Sequence, residues 1–288
     1  MKEMLLSNGR SLRFDGPALV MAIVNCNTDS FYAPSRAAGE KAVEKALAAE
    51  KDGAAIIDFG AESTRPGSSY IPAEKEMDAL IPVIRAFRER SSLPVSVDTR
   101  KAVVARAALE AGADIINDIS ALGDDPEMAE VCAAFDAAVV LMHKKGMPET
   151  MQNAPRYKNL LGEIEVFLAA AADKAVSAGV SSGKIIFDPG FGFGKTIEHN
   201  REILSRIRQF AAFPLLAEIC GTDYPVLVGL SRKSFTGEVK GEAQLAASNR
   251  LPETLAANKA AISGGAGIIR VHDAKEHVDL AKTLFACR

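Results

Sequence analysis

The chain lacks any run approaching the ~18 consecutive apolar residues that a membrane-spanning helix needs. It also lacks a basic excess: its formal net charge is −3. The first argues against a membrane protein, and the second removes the electrostatic footprint of nucleic-acid binding. Residues 1–16, MKEMLLSNGRSLRFDG, have no apolar core or small-residue cleavage site of a secretion signal. The four cysteines, Cys26, Cys132, Cys220 and Cys287, form no CxxC pair, so neither a zinc site nor a disulfide framework is expected. A soluble, reduced, cytoplasmic protein is the expectation. No low-complexity linker divides the chain, which predicts a single domain over residues 1–288. Aromatics are only 6% of residues, a composition that, with abundant alanine, suits many helices packed on small strands.

One pattern recurs: a short β-rich run, a polar or glycine-rich turn, then an amphipathic helix. Strands are expected at 18–24, 54–59, 95–97, 114–119, 137–142, 185–187, 226–230 and 267–271. Helices are expected to begin near Ala37, Ala73, Lys101, Pro126, Arg156, Ile197, Pro252 and Ala274. Thr99 is placed to cap the third helix, and Asp273 with Glu276 fits a capping box before the last. Leu160, Leu161, Ile164, Phe167, Leu168, Ala171 and Ala175 make one apolar face of a long helix ending near Gly179. Repetition of this unit predicts an α/β fold, a (β/α)8 TIM barrel. The rival is a doubly wound open sheet, but the GxGxxG turn it usually carries is missing after Val24.

Polar residues cluster where the strands end: Asn25; Glu62 to Arg65; Asp98; Asn117; His143; Asp188; Ser231 to Lys233; Arg270 and His272. The opposite strand ends are comparatively bland. In a barrel the former converge on one mouth, where catalysis sits. The central stretch is IIFDPGFGFGKT (185–196), a buried-strand run that stops at Asp188 and enters a glycine-rich turn. Asp188 reads either as a ligand-binding carboxylate or as a helix cap on an ordinary loop. GFGFGKT spaces its glycines one residue short of a Walker P-loop.

Two acids and an amide, Asp98, Asn117 and Asp188, suit the guanidine-like edge of a heterocycle, or serve as structural polars. Arg65, Lys233, Arg270 and His272 form a basic set suited to phosphate oxygens, although any one of them alone reads as a surface charge. Asn25 with Asp29 could help hold a Mg²⁺ bridging phosphates. His199 and His277 read as structural, and His143 is assigned no chemistry.

Several segments together resemble the dihydropteroate synthase family: AIVNCNTDSF (22–31), IIDFGAESTRPG (56–67), VSVDTRK (95–101), GADIINDIS (112–120), LMHKKGMPETMQ (141–152), DPGFGFGKT (188–196), GLSRKSF (229–235) and IIRVHD (268–273). They follow the family's order over nearly the whole chain. The resemblance implies a pterin-binding barrel and a transferase of folate biosynthesis. The family joins 6-hydroxymethyl-7,8-dihydropterin diphosphate to 4-aminobenzoate, giving 7,8-dihydropteroate and diphosphate. It further implies that Asp98, Asn117, Asp188 and Lys233 hold the pterin, with Asp98 and Lys233 catalytic. Thr64, Arg65, Arg270 and His272 would lie around diphosphate and aminobenzoate, Ser231 near aminobenzoate, and Asn25 on Mg²⁺. A homodimer is implied by the same analogy.

The sequence departs from the family's pattern in two places. The first loop reads Asn27-Thr28-Asp29 through Arg36, without the usual proline and glycine pair, so altered closure over aminobenzoate is expected. Phe59 and Ala61 stand where smaller residues are common. Competing readings are a methyltetrahydrofolate methyltransferase barrel, a non-catalytic paralogue and another phosphate-handling barrel. The first two would be expected to lose SRKS, RVH or FGFGK residues that are all present here.

Overall fold

The computed structural model describes residues 2–26, 36–62, 70–146, 151–152, 154–236, 246 and 249–287, with backbone alone at 36–38 and 234. The chain opens with an antiparallel hairpin, β1 (Glu3–Leu5) and β2 (Ser11–Arg13), in which Met4 faces Leu12. Asn8 and Gly9 turn it at φ +66° and +75°, backbone angles that Asn-Gly accepts readily.

Eight parallel strands follow: β3 (Leu19–Asn25), β4 (Ile56–Gly60), β5 (Val95–Asp98), β6 (Ile115–Asp118), β7 (Ala138–Met142), β8 (Ile185–Asp188), β9 (Leu227–Val228) and β10 (Ile268–Val271). They pair in the order β8-β7-β6-β5-β4-β3-β10-β9. A bridge from Phe187 to Val226, with the Phe187 N–H donating to the Pro225 carbonyl at 3.0 Å, brings the end strands together. The result is a nearly closed (β/α)8 barrel. Around it run α1 (Arg36–Lys51), α2 (Ala73–Arg88), α3 (Ala102–Glu110), α4 (Met128–Ala134), α5 (Leu160–Ser177), α6 (Ile197–Ser205), α7 (Ile207–Phe210), α8 (Pro214–Cys220), α9 (Leu251–Ser263) and α10 (Ala274–Ala286).

The expected strands and main helices are all present. The crossover between β8 and β9 adds α7 and α8, which the sequence reading missed; Pro214 opens α8 and Gly221, at φ +79°, ends it. Two caps differ from expectation. The first N–H of α3, at Ala102, is met by the distant Asp125 carboxylate at 2.8 Å and not by Thr99. Asp273 precedes α10 but makes no cap, because its carboxylate is taken by Arg232.

Strand alternation sorts the barrel interior by height. Near the floor, Met21, Ile56, Ile115, Ala138, Ile186, Leu227 and Ile268 pack with Met4, Leu6 and Leu12 of the hairpin segment. The hairpin therefore plugs the bottom of the barrel. Asp114, fully buried beside the floor, is held by Arg10 at 2.7 Å and Arg88 at 2.6 Å. This end of the barrel was expected to be bland, and here it is not: the charges tie the hairpin to α2 and β6.

Candidate active site

The inward positions at the tops of the strands are polar. On β4 the alternation sends Ile57 and Phe59 outward into the helix layer and Asp58 and Gly60 inward. Phe59 meets Phe87 of α2 edge-on at 5.6 Å. Its bulk is thus spent away from the mouth. Asp98 of β5 pairs in register with Gly60 and Asn117. A side chain at position 60 would press on Asp98, with the nearest approach 3.4 Å.

These residues meet Arg270, which projects inward from β10. Its guanidinium donates to Asp58 Oδ2 at 2.6 Å and to Asp98 Oδ2 at 2.7 Å. Asn117 Nδ2 lies 3.4 Å from the same Asp58 oxygen. Asp58 Oδ1 is buried without a partner among the described residues. Burial pushes the Asp98 carboxyl up to about 7, with Arg270 opposing and Asp58 adding to the rise. For Arg270, burial works against the charge, but Asp58 and Asp98 outweigh it and hold its pKa above the ordinary value. Asp58 was not singled out from the sequence. Its signal was a lone carboxylate inside the apolar run IIDFG, in step with Gly60.

Asp188 ends β8. Its Oδ1 accepts from the Gly190 N–H at 2.6 Å, and burial raises its pKa against the pull of Lys233. The loop that follows is built on glycine. A Cβ at Gly190, φ +69°, would overlap the carbonyl oxygen of His143. One at Gly192, φ +79°, would crowd the Lys233 stem at 3.3 Å. Lys233 Nζ donates to the Phe191 carbonyl and stands 4.7 Å above the Phe193 ring. Burial lowers its ammonium to about 8, with Asp188 opposing.

Lys195, which the sequence reading also passed over, is buried beneath this loop. Its Nζ reaches His143 Nδ1 at 2.8 Å, the Gly190 carbonyl at 2.9 Å and the Phe193 carbonyl at 3.2 Å. A longer contact of 3.4 Å reaches the His143 carbonyl, and burial pushes the Lys195 pKa well below its ordinary value, with Asp188 opposing. Burial, then Lys195, pushes the His143 imidazole down to about 2. His199 caps α6 with Thr196, and His277 Nδ1 sits 2.6 Å from the Asp273 carbonyl; both are structural, as expected.

On the far rim, Ser231 Oγ lies 2.9 Å from His272 Nδ1, and Arg232, at φ +59°, pairs with Asp273 at 2.5 Å. Asn25 ends β3, exposed at the mouth. Thr64, Arg65 and Asp29 lie outside the described residues. Glu62, the last described residue before Thr64 and Arg65, is fixed by Arg100 at 2.7 Å and Lys101 at 2.5 Å. The structure therefore brings Asp98, Asn117, Asp188, Lys233, Arg270, Ser231, His272 and Asn25 to one end of the barrel.

A family profile described as "Pterin binding enzyme" matches residues 21–272. The dihydropteroate synthase of Synechocystis is 41% identical over 268 residues, covering 91% of this chain and 88% of that protein. That of Escherichia coli K12 is 39% identical over 283 residues, covering 98% and 95%. The chain belongs to the dihydropteroate synthase family. Among solved family members, the Yersinia pestis dihydropteroate synthase, in complex with a sulfonamide drug, superposes with a TM-score of 0.89 at 36% identity, covering 99% of both chains. The Burkholderia cenocepacia dihydropteroate synthase, complexed with 7,8-dihydropteroate, gives 0.87 at 36% identity, covering 99% and 96%. Like other dihydropteroate synthases, this chain is a transferase. It condenses 6-hydroxymethyl-7,8-dihydropterin diphosphate with 4-aminobenzoate to 7,8-dihydropteroate and diphosphate. No helix among the described residues is long and apolar enough to cross a membrane.

Proposed function

We propose that Asp98, Asn117, Asp188 and Lys233 grip the pterin in the upper barrel, and that the basic rim draws off its diphosphate. The meeting of two acids, an amide, Arg270 and Lys233 in one pocket carries this reading. A carboxylate accepts parallel N–H bonds from the ring's guanidine-like edge, while Asn117 offers both a donor and an acceptor. Arg270 pairs with both Asp98 and Asp58. An arriving pterin competes for the Asp98 carboxylate, and Asp58 keeps the guanidinium's charge compensated meanwhile.

Arg270, Lys233 and His272 then meet the diphosphate, and the family resemblance adds Thr64 and Arg65 to that set. As the C–O bond breaks, its electron pair leaves with diphosphate and positive charge develops on the pterin methylene. Asp98 stabilises that charge where it forms. The amine of 4-aminobenzoate attacks, a C–N bond forms, and the amine's proton is released. No protein nucleophile is required.

Asn25, exposed at the end of β3, offers an amide oxygen that would suit a Mg²⁺. When bound, such an ion would neutralise charge on the leaving diphosphate. We also place the enzyme in the cytoplasm, as a homodimer acting through one domain over residues 1–288. Light scattering of the pure protein at twice the 30.5 kDa chain mass would support the dimer. A coupled assay of diphosphate release tests the whole reading. Turnover should require both 4-aminobenzoate and Mg²⁺; release that ignores the amine would reject it.

A further inference from the structure

His272 and Ser231 make two contacts, and together these decide which ring nitrogen carries the proton. The backbone N–H of His272 donates to Ser231 Oγ at 3.2 Å. Ser231 Oγ in turn stands 2.9 Å from His272 Nδ1. A serine hydroxyl has one proton and two acceptor lone pairs. The backbone N–H uses one lone pair. If Nδ1 carried a hydrogen, it would take the second, and the hydroxyl, on a residue only 7% exposed, would have no acceptor among the described residues for its own proton. A stranded buried donor costs about 1–3 kcal/mol. If instead the hydroxyl donates to an unprotonated Nδ1, every group is satisfied. The hydrogen of the neutral ring then sits on Nε2.

We infer that Ser231 is a positioning residue for His272, holding the imidazole neutral in the Nε2–H form so that it meets a diphosphate oxygen as an uncharged donor. This rests on the reading that the rim binds diphosphate, and it moves Ser231 away from the aminobenzoate role expected from sequence. The charged surroundings agree. Burial first, then Arg232, Arg270 and Lys45, against Asp273 alone, push the ring down to about 4. Positive charge at the rim thus comes from Arg270 and Lys233, while His272 contributes direction.

The test uses the full-length enzyme labelled with 15N-histidine. With four histidines in the chain, the spectrum of His272→Gln identifies the ring signals of His272. In the wild type, long-range 1H–15N correlation should show a bare Nδ1 and a protonated Nε2 at pH 7. A protonated Nδ1, or an imidazolium, overturns the inference. Ser231→Ala should mix the two tautomers and raise KM for the pterin diphosphate about five- to tenfold, as expected for one lost hydrogen bond. The affinity for 6-hydroxymethylpterin without its diphosphate should not change. Ser231→Thr, which keeps the hydroxyl, should restore the wild-type tautomer. An unchanged tautomer in Ser231→Ala, or a rise confined to the KM for 4-aminobenzoate, refutes the positioning role. Addition of inorganic diphosphate to the wild type should move the Nε2 signal. If the tautomer is as inferred and this signal stays put, the diphosphate reading of the rim is what fails.

Discussion

At Arg270 one guanidinium serves two carboxylates, and the two are not equivalent. Asp98 is the one a pterin would claim, whereas Asp58 lies deeper, with Asn117 against the same oxygen. Asp58→Asn should leave Arg270 undercompensated whenever Asp98 binds the ring. We expect kcat/KM for the pterin diphosphate to fall about tenfold or more, by analogy with other broken buried pairs; an unchanged value would remove Asp58 from the site. Asp188→Ala should cost about 3 kcal/mol of pterin binding, over a hundredfold in Kd, from the loss of charge-assisted bonds. Calorimetry with the free pterin checks this. The titrations of Asp98, about 7, and Lys233, about 8, set opposite limbs. The carboxylate needed by the pterin forms as pH rises through about 7, and the ammonium is lost as pH rises through about 8. A narrow bell in kcat/KM is therefore expected, and a plateau extending to pH 10 would contradict it.

The loop between β8 and α6 is the element on which the pocket leans. It supplies the Gly190 N–H to Asp188 and the Phe191 carbonyl to Lys233. Lys195 and the Asn200 amide, which accepts from the Gly192 N–H at 2.8 Å, hold it from below. Lys195→Met keeps the bulk but strands buried carbonyls. A loss of about 2–4 kcal/mol in chemical denaturation is expected, together with a raised KM for the pterin diphosphate. At this scale the sequence was readable where chemistry sits at a strand end. Asp98 and Asp188 each stop an apolar run and Asn117 falls among the last residues of its strand, so position marked them. Asp58 sits inside its run and was hidden by the β4 hydrophobes around it. Lys195 looked like part of a near-miss phosphate loop, and only the fold reveals that its ammonium points inward to His143. The cap on α3 was equally out of reach, because Asp125 comes to Ala102 from another part of the chain. The altered first loop, residues 27–36, lies almost wholly outside the described residues.

On the scale of the whole molecule, stability and chemistry occupy opposite ends of the barrel. Repetition of the strand–turn–helix unit made the barrel legible, since seven helical crossovers joining eight strands leave few other arrangements. The hairpin was missed even though Asn8-Gly9 between Leu6 and Leu12 is a recognised turn signal. Its role is also remote from any motif. Met4, Leu6 and Leu12 are each at most 4% exposed, and at about 1.5–3 kcal/mol per buried side chain they contribute substantially to the floor. Asp114→Asn should weaken the hold of Arg10 and Arg88 on that floor and cost about 3 kcal/mol. A lowered Tm with unchanged KM for both substrates is the expected outcome. A change in KM without loss of stability would mean that the two ends are coupled.

Because the barrel floor is packed solid and residues 2–13 cover it, the strand tops are reached from one side only. If the pterin ring lies below the aminobenzoate, as proposed, it should enter first. Aminobenzoate should accordingly queue behind the pterin, and the joined product must back out by the same route before the next cycle begins.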